Sequence, residues 1–399
     1  MRAITILAIL LLVITGCGGN RQVNESDDFI TVDVTANYPK KELILQDFMD
    51  VEYIALETND DFLTQGDVLA IGKEFLLVRN LNSDGDIFAF DRNGAGLRKF
   101  NRLGRGPKEY LAVSNLMLDE DNGEIFVIDS FDWILVYDLY GNFRRSFNPK
   151  ERTRFEHTYN YSNDKFICLG ATPFDKRLVN TSSFLIVSKH DGSIYKEIQI
   201  PSIESAPMGL QIHTDDGLWR IIVMTAFFHS LIPYHNDWIV TEPSSDTVFR
   251  YLQDHSMHPL IVRTPHRTKM SRKAFLFPGI ITDRYYFMIV LKEDTSGAEP
   301  PWPKMTNDPV MTTTNLVYDK QERIIFEPIV YNGDFLNQKR VSMFQKTADN
   351  SEIAFWLKIE AEELVEAYQK GELKGQLKEV AAMLEVDSNP VIMLVKYKI

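Results

Sequence analysis

Three stretches carry residue types whose spacing can do chemistry. The first is Gly104-Arg105-Gly106-Pro107-Lys108-Glu109-Tyr110. Two glycines and a proline set a tight turn, which gathers Arg105, Lys108, Glu109 and Tyr110 into one compact polar group. Two readings follow. Either the loop meets an anionic or sugar ligand through Arg105 or Lys108, with Tyr110 as a stacking surface, or Glu109 and Tyr110 tie two structural units together by hydrogen bonds. The sequence favours the second. Next, NLNSDGDIFAFD spaces Asn80, Asn82, Asp84 and Asp91 around Gly85 in a way that approximates a calcium loop. Asp91 stands where such a loop has a bidentate Glu, and the flanks read as strands, so a polar turn accounts for the same letters. No other cofactor is expected.

Third come the histidines, His157, His190, His213, His229, His235, His255, His258 and His266. His255 and His258 are close enough in sequence to chelate, but no Cys or second His pair stands at zinc spacing. His229 and His235 flank SLIPY, in a stretch able to enter a central channel. Trp302 lies between Pro301 and Pro303 with no strand to fill, and reads as an exposed contact for a carbohydrate or peptide. G-x-S-x-G, H-E-x-x-H, a P-loop and a complete G-x-G-x-x-G are all missing from the chain.

What must position these residues is a series of short strands. FLLVRN (75–80), DIFAFD (86–91), GEIFVIDS (123–130), WILVYD (133–138), KFICLG (165–170), FLIVSK (184–189), DWIVTE (237–242), DTVFRY (246–251), YYFMIVL (285–291) and TNLVYD (314–319) are rich in β-branched and aromatic residues. Several repeat. Asp91, Gly94, Arg98 and Phe100 align with Asp138, Gly141, Arg145 and Phe147 at a constant offset of 47 residues, and Gly192 occupies the same turn in a third copy. A period of roughly 40–50 residues with about four strands is one propeller blade. A fourth and a fifth copy are looser. A Pro-rich insertion, 292–311, interrupts the fifth.

Ring closure is expected from FITVDV (29–34) and NPVIMLVKYK (389–398), one completing the blade that the other begins. Between the fifth copy and the end, apolar residues from Leu364 to Leu384 recur at helical spacing, so 361–385 is predicted as a short helical decoration packed on the ring.

The chain has 399 residues and a formal net charge of -13, which argues against nucleic-acid binding. It opens with MRAITILAILLLVITGC, a basic residue and an apolar run of signal-peptide length. Ile14-Thr15-Gly16-Cys17 resembles the bacterial lipobox, which implies a signal peptide at 1–16, lipidation of Cys17 and a polar tether to residue 28. The domain is then 29–399. Cys168 is the sole other cysteine, so once Cys17 carries lipid no intramolecular disulfide can form.

Lipobox, tether, VEYIALET, NGAGLRKFNRLGRGPKEY and FVIDSFDWILVYDLYGNF together resemble the six-bladed β-propeller lipoproteins of Bacteroidetes, relatives of the NHL-repeat propellers. The G-x-G-P-x-E-Y segment at 104–110 is the most specific element. The resemblance implies an all-β, six-bladed propeller and no common enzymatic activity. Gly18 after Cys17 implies the outer membrane, with the periplasmic and surface faces both open. Two functions follow as expectations. The first is an envelope-anchored module binding a glycan, a peptide or an envelope protein; the alternative is a metal-dependent hydrolase or lyase with its site at the channel.

Overall fold

The computed structural model describes residues 29–80, 84–129, 133–148, 154–171, 182–200, 209–213, 219–223, 230–242, 245–270, 274–294, 310–349 and 352–398. Within them, segments rich in Val, Ile and Phe form twisted antiparallel sheets, each too short to bury its own faces. Blade one comprises Asp67–Ile71, Phe75–Arg79, Asp86–Asp91 and Gly96–Asn101, paired in chain order. Blade two runs from Val113–Asp119 to Phe143–Phe147, and blade three from Arg154–Asn160 to Ile198. A separate hairpin, Gly209–His213 with Trp219–Val223, precedes blade four, whose strands span residues 231–264; blade five spans 274–331. The Pro-rich insertion connects Tyr285–Asp294 to Val310–Asp319 in blade five, and its residues 295–309, with Trp302, lie outside the described residues.

Blade six closes the ring and corrects the sequence expectation. Its inner edge is a short segment in which Thr347 bridges Phe355. Ile353–Ile359 and Val391–Tyr397 follow, and the outer strand is Met49–Ala55, in register from Met49 opposite Tyr397 to Ala55 opposite Val391. The closing strand is therefore not 29–34. Ile30–Asp33 instead pairs in parallel outside blade four, and Lys40–Ile44 outside blade five. These five-stranded sheets cover edges that would otherwise be open to another chain.

Six apolar seams join each blade to the next. Between blades one and two lie Ile87, Phe100, Leu118, Val127 and Tyr137; between six and one lie Ile54, Ile392, Leu76 and Phe90. The helices Ala361–Gln369 and Gly375–Ala381 connect the second and third strands of blade six. Leu364 and Leu377 are fully buried among Phe326, Val330, Phe335 and Phe355, so these helices pack on the ring as expected, at the seam between blades five and six.

The repeated glycine has a physical reason. Gly94, Gly141 and Gly192 have φ of 88°, 79° and 72°, a conformation side chains disfavour. Each also abuts the preceding blade: a Cβ on Gly141 would fall 2.5 Å from the Phe100 ring, and one on Gly192 2.5 Å from Phe147. Gly94 meets the carbonyl of Ala55, so the outer strand from the N-terminal region takes the place that Phe100 and Phe147 take elsewhere.

Candidate functional site: the central channel

The inner strands of blades one, two and three each lose register against their neighbours. The shifts fall between Val68 and Ala70, between Val113 and Asn115, and between Glu156 and Tyr159. Bulges re-aim side chains and bend strands. The residues inside these shifts, Leu69, Ser114, His157 and Thr158, all line one cavity of 330 Å³. His157 holds φ at 47°, a strained value for a non-glycine residue. The remaining wall includes Met117, Phe155, Lys346 and Trp356.

Lys346 is the cation of this cavity. Its ammonium is exposed to the channel while protein surrounds it on most sides, and the resulting desolvation holds its pKa below the ordinary lysine value. Its nearest polar neighbour is Asn115 Oδ1 at 3.5 Å, and its Nζ stands 5.9 Å from the Trp356 ring centre. Arg79, the next cation, is engaged by Asp67 at 2.7 Å and by the Val113 carbonyl. Thr158 is 7% exposed, and its hydroxyl has no partner among the described residues.

Three residues beyond Lys346, Asp349 separates this cavity from a second of 200 Å³, which opens between the Asn160–Tyr161 and His235–Asp237 turns. Asp349 Oδ2 accepts from the Asn160 backbone N–H at 2.7 Å and from its side-chain amide at 2.6 Å. Burial nevertheless dominates and pushes the carboxyl up to about 7. The Asn160 donors and Lys189 pull the other way, while Asp119 adds to the rise. Thr347, between the two cavities, bonds Tyr159 OH at 2.9 Å. The channel thus presents a lysine, a hydroxyl, an amide and an acid that titrates near neutrality.

Residues 29–396 match the family described as a domain of unknown function, DUF4934. The chain belongs to the DUF4934 family. Among curated proteins, none matches the sequence. In structure, the DUF4934 chain is similar to a Bacteroides fragilis protein described as exported, with a TM-score of 0.58 and 13% identity over 93% of this chain and 100% of that one. A DUF4221 member from Bacteroides vulgatus matches 88% of this chain and 100% of its own, at TM-score 0.46 and 11% identity. The first likeness establishes the shared propeller fold.

The sequence-derived sites of this DUF4934 member fall elsewhere. GRGPKEY links blades one and two, and its Tyr110 is fully buried, which corrects the expectation of a stacking surface. Tyr110 OH donates to the Gly85 carbonyl at 2.7 Å and accepts the Arg102 N–H at 3.0 Å. Its phenol is raised to about 12, chiefly by burial. Glu109 Oε2 accepts the Gly106 N–H at 2.7 Å, and the Lys108 carbonyl accepts from Tyr137 OH. Arg105 and Lys108 remain exposed. The segment is a blade linker.

Asn80 and Asp84 meet at 2.8 Å, but Asp91 lies at the opposite end of the strand Asp86–Asp91, where its Oδ1 accepts the Asn93 and Ala95 N–H groups. Those residues therefore do not converge around one centre; Asn82 lies outside the described residues. His235 reaches Asp283 at 3.1 Å beside the second cavity, while His229 lies outside the described residues. His255 and His258 turn to separate partners, Tyr251 and Ser256. Among the described residues no three His, Cys, Asp or Glu side chains are grouped to hold a metal. Lys346 and Asp349 were missed because SMFQKTADN has no apolar alternation, and Thr158 because its strand, RFEHTYN, is mostly polar. Counting one strand back from the second strand of the last blade would have found that inner edge.

Proposed function

We propose that this protein is an exported, lipid-anchored binding module of the cell envelope whose ligand enters the central channel. The carrying observation is the convergence of three bulged inner strands on one cavity, where a hydroxyl and an ammonium stand without strong partners. Concave sites with a few placed polar groups in an otherwise apolar wall are the usual form of ligand sites. The GRGPKEY segment supports the same reading by exclusion, because its tyrosine and glutamate are occupied in joining blades.

Export and anchoring rest on the signal-like opening and on Cys17, and the exported relative from Bacteroides fragilis fits that location. No helix among the described residues is long and apolar enough to cross a membrane. Outer-membrane lipidation at Cys17 follows from the same features, and the partner is a glycan, a peptide or an envelope protein.

The test is thermal unfolding of the full chain in detergent, scanned against oligosaccharides, peptides, calcium and chelator. A bound ligand at a hundred times its dissociation constant adds about 2.7 kcal/mol. Stabilisation by a metal-independent ligand, lost when the bulge at 157–158 is disrupted, supports the module. Destabilisation by chelator with restoration by one metal overturns it in favour of the hydrolase or lyase.

A further inference from the structure

Three observations on the wall of the 330 Å³ cavity point to the kind of ligand. Lys346 is a cation without an ion-pair partner: among the described residues no carboxylate oxygen lies within 4.0 Å of its ammonium, and Asn115 at 3.5 Å is its one polar contact. An exposed lysine on an ordinary surface needs no such partner. This one stands inside a cavity, and a surrounded ammonium gains most from an anion that replaces lost solvation. Thr158 supplies an independent pointer, a hydroxyl 93% buried with its residue, unpartnered, in the bulged inner strand of blade three. Finally, Asn115 Oδ1 already accepts the Leu116 N–H at 2.9 Å, which leaves the amide NH2 as a donor on the same wall.

We infer that this cavity binds a small organic carboxylate, with Lys346 pairing its charge, Thr158 and Asn115 donating to its oxygens, and Trp356, Leu69 and Met117 packing its apolar part. The assignment rests on the binding-module reading and narrows it. Charge selects a monoanion. Lys346 is the one Lys or Arg among the residues lining the cavity and Asp349 lies on the same wall, so one positive charge is the most the cavity offers and a phosphate dianion would meet too little. The surrounding chain is acidic overall, at -13, so attraction of an anion must be local to this wall. Size agrees, since 330 Å³ lies at the lower end of cavities that hold small organic ligands.

The experiment titrates the full chain with benzoate and galacturonate by calorimetry, with benzamide and galactose as neutral counterparts. Lys346→Met preserves the stem that lies along the wall, and Thr158→Val preserves shape; melting curves confirm that each variant folds. Expected is at least a tenfold preference for one carboxylate over its neutral counterpart, abolished in K346M and reduced several-fold in T158V. Equal affinity for charged and neutral probes, or a preference that survives in K346M, overturns the carboxylate assignment while leaving a binding module in place. Absence of any carboxylate binding also overturns it. The same titration with neutral glycans and peptides then decides whether the broader reading falls as well.

Discussion

Asp349 is the residue whose chemistry differs most from its type. Its carboxyl is held near 7 in the folded chain, against about 3.9 in an unfolded one. A folded value above the unfolded value means that the protonated form favours folding. That contribution is complete below about pH 4 and is lost as pH rises through 7. Asp349→Asn keeps an acceptor for the Asn160 donors and cannot ionise. It should raise the melting temperature at pH 8 by several degrees and change it little at pH 5. An equal shift at both values would remove burial of charge as the cause. Near-neighbour ion pairing behaves oppositely: Lys189 and Asp119 meet at 2.6 Å with each side chain only 5% exposed, joining blades two and three. Lys189→Met leaves Asp119 buried without its cation and should cost about 3–5 kcal/mol in denaturant titration. Adding Asp119→Asn should recover a large part of that loss. Additive losses would show that the two side chains act independently.

Among elements, the turn between the third and outer strands carries the blade contact. Gly141→Ala combines a positive φ with a clash against Phe100, and should cost about 1–3 kcal/mol beyond the backbone strain alone. Gly123 provides the comparison, because its φ is 63° yet nothing lies within 4 Å of a Cβ there. Gly123→Ala should therefore cost only about 1–2 kcal/mol. Similar melting curves for the two would mean that the Phe100 contact adds nothing. The same geometry explains what could be read from the chain. Every segment picked out as a strand for its apolar content is the second or third strand of a blade, because those are covered on both faces; Glu124–Asp129 is buried at all six positions. Outer strands alternate, as Gly96–Asn101 does, and inner strands face a channel with polar residues. The inner strands of blades two and three, Val113–Asp119 and Arg154–Asn160, therefore leave no continuous apolar run, although that of blade five, Ala274–Ile281, is apolar throughout. The fold was thus legible from its middle strands, while the candidate site, built from bulged inner strands, was not. GRGPKEY stood out for its glycines, proline and charges, and those features serve a buried tyrosine.

For the whole molecule, closure depends on Met49–Ala55 more than on the two strands before it. Val51→Pro breaks pairing with Val395 inside blade six, whereas Thr31→Pro affects an exposed fifth strand outside blade four. Both are edge strands, but Met49–Ala55 closes the ring while Ile30–Asp33 only covers a blade that is already complete, so the same loss costs closure in one case and cover in the other. Val51→Pro should abolish cooperative unfolding and expose apolar seams to a fluorescent dye; Thr31→Pro should lower the melting temperature modestly. Equal effects would mean that edge cover and closure matter alike. The path of residues 30–55 also orders events in time. Ile30 pairs with Ile261, Lys40 with Glu327 and Met49 with Tyr397, so the first strands to be synthesised wait for nearly the last. At about 5–20 residues per second that delay is tens of seconds. Blades one to three can assemble from neighbouring sequence meanwhile, but an unfinished chain displays three unpaired strands beside them. A chain halted before residue 391 thus holds five blades and an open ring, with Met49–Ala55 left unpaired, and its survival depends on whatever shields that strand and the open seams.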